Sequence, residues 1–233
     1  MVKKNNLSPV KLINYYKLIN HNLIYNNKAI NRYKKDIFEI SPDKALNLEN
    51  LKKSIVNLKN CNLKNNATNI VFSDGNPKSK IMIIGEAPGS NEDQEGLPFV
   101  GRAGALLDKM LASINLDRKS IYISNIINYR PPENRRPTDE EINRYLPFIK
   151  KHIEIINPKI LVLLGSTAMN ALVGSEVVIS KIRGKWIEKK FGSCKVSVIV
   201  TFHPAFLMRQ PMQKKLAWVD LKMIRDKKAK LKI

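Results

Sequence analysis

Residues 81–89 read Ile-Met-Ile-Ile-Gly-Glu-Ala-Pro-Gly. Four consecutive apolar residues that stop at a glycine, with a proline turn beyond, predict a strand buried on both faces. The pattern recurs at 121–127, 160–164 and 196–200. Helical patterns separate the first three strands, at 104–114 and 138–156. The second opens on Thr138-Asp-Glu-Glu141, which suits a capping box. Buried strands alternating with helices predict an α/β fold, a three-layer α/β/α sandwich around a central four-stranded parallel sheet. The stretches 186–190 and 195–201, joined by Phe191-Gly-Ser-Cys194, predict a hairpin leading into the fourth strand.

Upstream, Leu46, Leu48, Leu51, Ile55, Val56 and Leu58 predict an amphipathic helix. Residues 1–45 are rich in Asn, Lys and Tyr, with Leu12, Ile13, Tyr16, Leu18 and Ile19 at loosely helical intervals, and read as a helical and polar extension. Residues 46–225 form the main domain of this reading, and 226–233 a basic C-terminal tail. A chain of 233 residues with 43% hydrophobic and 26% charged residues holds enough apolar material for a full core, which excludes disorder. Its longest apolar runs are far too short to cross a bilayer. The first residues lack the apolar stretch and cleavage site of a secretory signal, so the expected location is cytoplasmic, beside the nucleoid.

Forty-one Lys and Arg against twenty Asp and Glu leave a formal charge of +21. A polyanion is the natural partner, because each cationic contact releases counterions from DNA or RNA. The abundance of Lys, Asn and Ile together also fits the codon bias of an AT-rich genome. Two cysteines, Cys61 and Cys194, and three histidines, His21, His152 and His203, are too scattered for a disulfide framework or a metal cage. No metal site is expected.

In an open parallel sheet, ligands bind beyond the carboxyl ends of the strands. After the first strand comes Gly85-Glu-Ala-Pro-Gly89; Ser124-Asn125 lies near the end of the second; Gly165-Ser-Thr167 follows the third and Thr201-Phe-His-Pro-Ala205 the fourth. Glu86, Asn125 and His203 should therefore converge on one crevice. Gly85–Gly89 could cradle a phosphate or be a plain turn; it lacks the Gly-Lys-Ser/Thr of a P-loop. Glu86 could act on water, stabilise positive charge, or simply be solvated. Phe99, among glycines before a helix, could be core or a platform for a planar base. Arg102 at the following helix start could meet a phosphate. PPENRRP (131–137) is a stiff basic loop or a solvated surface.

Together these stretches resemble the family 4 uracil-DNA glycosylases. The resemblance runs from about 57 to 221 through GEAPG (85–89), EDQEGLPFVGRAG (92–104), YISNIINYRPPENRRPT (122–138), PKILVLLG (158–165), RGKW (183–186) and TFHPAFLMR (201–209). It implies a monofunctional enzyme that flips uracil out of DNA and hydrolyses its N-glycosidic bond, leaving an abasic site. It also implies roles. Phe99 would stack on uracil, with Gly85 and Ala87 in the pocket wall, and Asn125 would read O4 and N3–H. Glu92 would lie against C5. Glu86 would position water or stabilise the sugar cation, and His203 would donate to O2 of the departing base. Leu207 and Met208 would wedge into the gap, or be a buried helix start. Arg209, with Arg102, Arg130, Arg135 and Arg136, would contact DNA.

The family usually carries a [4Fe-4S] cluster on four cysteines. Here Leu58, Cys61, Tyr129 and Tyr145 stand at the matching positions, and one thiol cannot retain a cubane. The expectation is no cofactor, uracil-containing DNA as partner, no membrane, no obligatory protein partner, and a monomer. Two competing readings remain: an inactive or altered nucleic-acid-binding member of the same fold, and a nucleotide-binding α/β enzyme.

Overall fold

The computed structural model describes residues 41–176 and 178–233; the helix expected around Leu12 to Ile19 lies outside them. Asp43 opens α1 (Lys44–Val56), its carboxylate accepting from the backbone N–H groups of Ala45 and Leu46. After the short α2 (Asn62–Asn66), six strands form one sheet: β1 (Asp74–Gly75), β2 (Ile81–Gly85), β3 (Tyr122–Asn125), β4 (Ile160–Leu164), β5 (Trp186–Phe191) and β6 (Cys194–Thr201). Their spatial order is β1-β3-β2-β4-β6-β5.

The four inner strands, β3-β2-β4-β6, pair in parallel, as the apolar runs predict. Both edges are antiparallel. On one side β5 forms the expected hairpin with β6, turning at Gly192 with φ of 57°. On the other, the two-residue β1 pairs with β3. The sequence reading missed β1, because a two-residue Asp-Gly strand has no periodicity to detect.

Alternation along the strands sorts the core into two layers. Met82, Ile84, Leu161, Leu163, Val198 and Val200 point to one face, where they meet α1 and α5 (Asp139–Ile156). Ile81, Ile83, Ile123, Val162 and Ile199 point to the other, against α4 (Arg102–Ala112) and α9 (Lys214–Leu231). Helix α5 begins with the expected capping box between Thr138 and Glu141. The shorter helices α3 (Ser90–Glu95), α6 (Gly165–Leu172), α7 (Ile179–Ile182) and α8 (Pro204–Arg209) lie in the connections. Residues 226–231, read from sequence as part of a basic tail, continue α9, and Ile224 anchors the preceding turn in the core.

Arg183 ties α9 to the sheet. Its guanidinium pairs with the fully buried Asp220, which also accepts from Thr201 Oγ1 at 2.7 Å, and lies 5.4 Å from the Phe202 ring centroid. Burial pushes the Asp220 carboxyl up, against the pull of Thr201 and Arg183.

Candidate active site

The parallel strands deliver their carboxyl ends to a cavity of about 190 Å³. Glu86 follows β2, Asn125 ends β3 directly opposite Gly85 in the register, and His203 follows β6. All three line the cavity, with Ala87, Glu92 and Phe99. The convergence expected from topology is therefore present. The volume lies below the range of drug-sized sites, roughly 300–1,000 Å³, and suits one small ring.

Phe99 is placed by force. Its φ of 57° is in the left-handed region, unusual for an aromatic residue. Arg118 donates to the carbonyls of Pro98, at 3.1 Å, and Phe99, and is itself anchored by Asp74 and Asp108 at 2.7 and 2.9 Å. A Cβ at Gly104 would stand 1.7 Å from the Phe99 carbonyl oxygen, so only glycine permits this approach. The ring is both core and cavity wall. It reaches Gly85, where a Cβ would meet it at 2.5 Å and the Asn125 Oδ1 at 2.4 Å.

That Oδ1 is the buried side-chain polar atom left without a hydrogen-bond partner among the described residues. Such a group costs about 1–3 kcal/mol, and it belongs to a residue that lines the cavity.

His203 caps α8: its Nδ1 accepts from the Ala205 N–H at 3.2 Å. A neutral ring that accepts at Nδ1 carries its proton on Nε2. Burial, and to a lesser extent Arg209, push its pKa down to about 4, with Glu92 pulling the other way. The imidazole thus stays neutral near pH 7 with an N–H to donate, and its ring sits 5.6 Å from that of Phe99.

Glu92 lines the cavity, but both its oxygens are engaged. Oε2 accepts from the Gly89 N–H at 3.1 Å and Oε1 from the Gly101 N–H at 2.8 Å. It fastens the start of α3 to the start of α4. Glu86 Oε2 accepts from Thr167 Oγ1 at 2.5 Å. Thr167, 1% exposed in the first turn of α6, lies in a stretch the topology had marked, yet nothing in its sequence setting assigned it a role.

The residues read as DNA contacts divide. Arg102 and Arg209 are exposed, and Met208 is half-buried. Leu207, read as a wedge or a buried helix start, turns inward one turn into α8 and is 1% exposed, in the core layer with Leu107 and Leu221. Arg135 is held in a two-pronged pair by Glu141, at 2.8 and 2.6 Å. Arg136 donates to Thr167 and Ser166, each at 3.0 Å. Arg130 donates to Asn134 at 2.8 Å. The PPENRRP loop is thus exposed over 132–136 yet tied down: Arg135 and Arg136 are bonded outside it, and Arg130 to Asn134 within it.

At the positions matching cluster ligands, Cys61 Sγ lies 3.3 Å from the Tyr145 hydroxyl, and both residues, with Tyr129, are buried in the core layer beneath α1 and α5. Burial and contact with Cys61 push the Tyr145 hydroxyl far up, so it remains protonated. One thiol, two phenols and a leucine do not fit an iron–sulfur cubane.

Comparison with known proteins agrees with this arrangement. Residues 72–222 match the model of the Uracil DNA glycosylase superfamily. The chain is 40% identical to the type-4 uracil-DNA glycosylase of Sulfurisphaera tokodaii over 184 residues, 77% of this chain and 84% of that one. It is 45% identical to the enzyme of that name from Thermotoga maritima over 150 residues, 64% and 77% of the two chains. With that of Archaeoglobus fulgidus it shares 38% over 181 residues, 76% and 91%. A cavity walled by Glu86, Phe99, Asn125 and His203 at the carboxyl edge of this sheet, in a chain so similar to these enzymes, leaves one assignment: the protein belongs to the type-4 uracil-DNA glycosylases of the uracil-DNA glycosylase superfamily.

Proposed function

We propose that this protein excises uracil from DNA by hydrolysing the bond between uracil N1 and deoxyribose C1′, the first step of base excision repair. The observation that carries this reading is the orphaned Asn125 Oδ1 opposite Phe99. Uracil N3–H supplies the missing donor, while the Asn125 amide N–H₂ donates to O4; cytosine, with an acceptor at N3 and donors at C4, offends both contacts. Phe99 stacks on the ring, and Glu92 holds the two loops that close over C5 and keep out a methyl group.

As the C1′–N1 bond breaks, its electron pair leaves with the base and charge builds on O2. His203 Nε2–H donates to that oxygen, a contact that strengthens with the charge and so lowers the barrier. The sugar becomes cation-like, Glu86 stabilises it or orients the water, and addition of that water with loss of a proton yields the abasic site. Among the described residues no lysine lines the cavity, and the reaction proposed has no Schiff-base lyase step.

The enzyme works as a cytoplasmic monomer without an obligatory protein partner. Among the described residues no helix is long and apolar enough to cross a membrane. It also works without the family's usual iron–sulfur cluster, since the Cys61–Tyr145 contact fills that part of the core. Iron analysis and the visible spectrum of anaerobically purified protein test this: four irons per chain would overturn it. The activity is tested by uracil release from single- and double-stranded oligonucleotides, with cytosine and thymine controls. Release of free uracil is the expected result; none from any uracil substrate overturns the reading in favour of an inactive DNA-binding relative.

A further inference from the structure

We propose that Thr167 and Arg136 act as a positioning relay that fixes Glu86 for the chemical step. This rests on the function proposed above; it gives Thr167 a role that the sequence had not assigned, and Arg136 a role other than the DNA contact read from sequence.

The direction of the relay follows from donor and acceptor chemistry. A guanidinium only donates. Arg136 Nε–H therefore gives its proton to Thr167 Oγ1, at 3.0 Å, and Nη2–H binds Ser166 Oγ, also at 3.0 Å. With a lone pair of Oγ1 so engaged, the single hydroxyl proton of Thr167 goes to Glu86 Oε2, 2.5 Å away. Oε2 is thus fixed as an acceptor, and Oε1 is left for the water or the sugar. The guanidinium beyond the hydroxyl polarises it and strengthens the second bond.

The Thr167 end of the relay is buried, and Arg136 reaches it from an exposed position. Thr167 is 1% exposed and sits in the first turn of α6, directly after β4, so the hydroxyl is carried by the strand beside the one that carries Glu86. Arg136 comes from the loop before α5, whose other arginines are held by Glu141 and Asn134. A side chain read from sequence as a DNA contact is therefore turned onto the site.

The test is single-turnover uracil excision by Thr167→Val, Thr167→Ser, Arg136→Ala and Glu86→Gln, together with Thr167→Val in the Glu86→Gln background. Thr167→Val keeps shape and removes the hydroxyl. Its rate should fall about 10- to 100-fold, the range for a lost hydrogen bond to a charged group, with affinity for uracil-containing DNA changed by less than about threefold. Thr167→Ser should restore most of the rate, which repacking alone would not do. In the Glu86→Gln background Thr167→Val should slow the enzyme no further, because Thr167 acts only through Glu86. Arg136→Ala should slow excision while leaving the salt dependence of DNA binding unchanged; a phosphate contact would reduce that slope by about one.

A Thr167→Val enzyme as fast as wild type, a serine variant as slow as valine, or an undiminished loss in the Glu86→Gln background would each overturn the relay. A reduced salt slope in Arg136→Ala would return that residue to the DNA interface. These outcomes are separable from failure of the functional reading, in which the wild type itself releases no uracil.

Discussion

Replacing His203 by alanine should separate the chemical step from binding. The imidazole accepts the Ala205 N–H at Nδ1, and burial pushes its pKa down to about 4, so the ring is neutral at pH 6 and above. The active form is a neutral Nε2–H donor aimed at an oxygen that gains charge only as the bond breaks. Loss of one such donor typically costs about 2.7–4 kcal/mol, or 10²–10³ in rate. Single-turnover excision measured from pH 5 to pH 9 should show that loss in the alanine variant. Binding to DNA carrying an uncleavable uracil analogue should weaken far less. In the wild type no rate change should centre on the ordinary histidine range near pH 6.5. Two results would refute the reasoning: a rate step near that pH that vanishes with His203, or equal losses of binding and rate in the variant.

Other consequences are more direct. Asn125→Asp places a carboxylate oxygen against uracil O4, and excision should drop by orders of magnitude with little change in DNA affinity; equal activity would remove Asn125 from recognition. DNA affinity should fall log-linearly with salt, and Arg209→Ala, at an exposed position, should lower the slope by about one, whereas a flat response would mean that the +21 charge serves no DNA contact. His152 is buried, bonded at Nε2 to the Tyr122 hydroxyl at 2.8 Å and stacked on Phe72, with a pKa pushed down by burial to about 3. The unfolded chain binds that proton first, so the stability from keeping His152 neutral is complete above about pH 6.5 and declines toward pH 3, by at most on the order of 5 kcal/mol. Denaturant titrations should show this acid limb, and His152→Phe should flatten it.

The sheet was legible because each inner strand is a short, unbroken apolar run, and a run of that kind in alternation with helices leaves few other folds. The convergence of Glu86, Asn125 and His203 was legible for the same reason: strand ends are positions, and topology assembles positions. What sequence did not carry was orientation. Leu207 reads equally well as a wedge or a core residue until the pitch of α8 turns it inward. Arg135 and Arg136 read as DNA contacts, and only the three-dimensional structure shows their bonds to Glu141, Ser166 and Thr167. Thr167 and Arg118 act across gaps of 81 and 19 residues, distances at which spacing says nothing.

The edges of the sheet bear on solubility. A parallel core this apolar would template aggregation if its outer hydrogen-bonding groups were open to a second chain. One side ends in β1, two residues long, whose Gly75 sits so close to the Ile121 carbonyl that an added Cβ would stand 2.2 Å from it. The other ends in β5, which carries Glu188, Lys189 and Lys190 in succession, with Lys189 Nζ bonded across to the Val173 carbonyl at 3.2 Å. Neither border is a long, flat, uncharged strand of the kind that templates edge-to-edge pairing with a second chain.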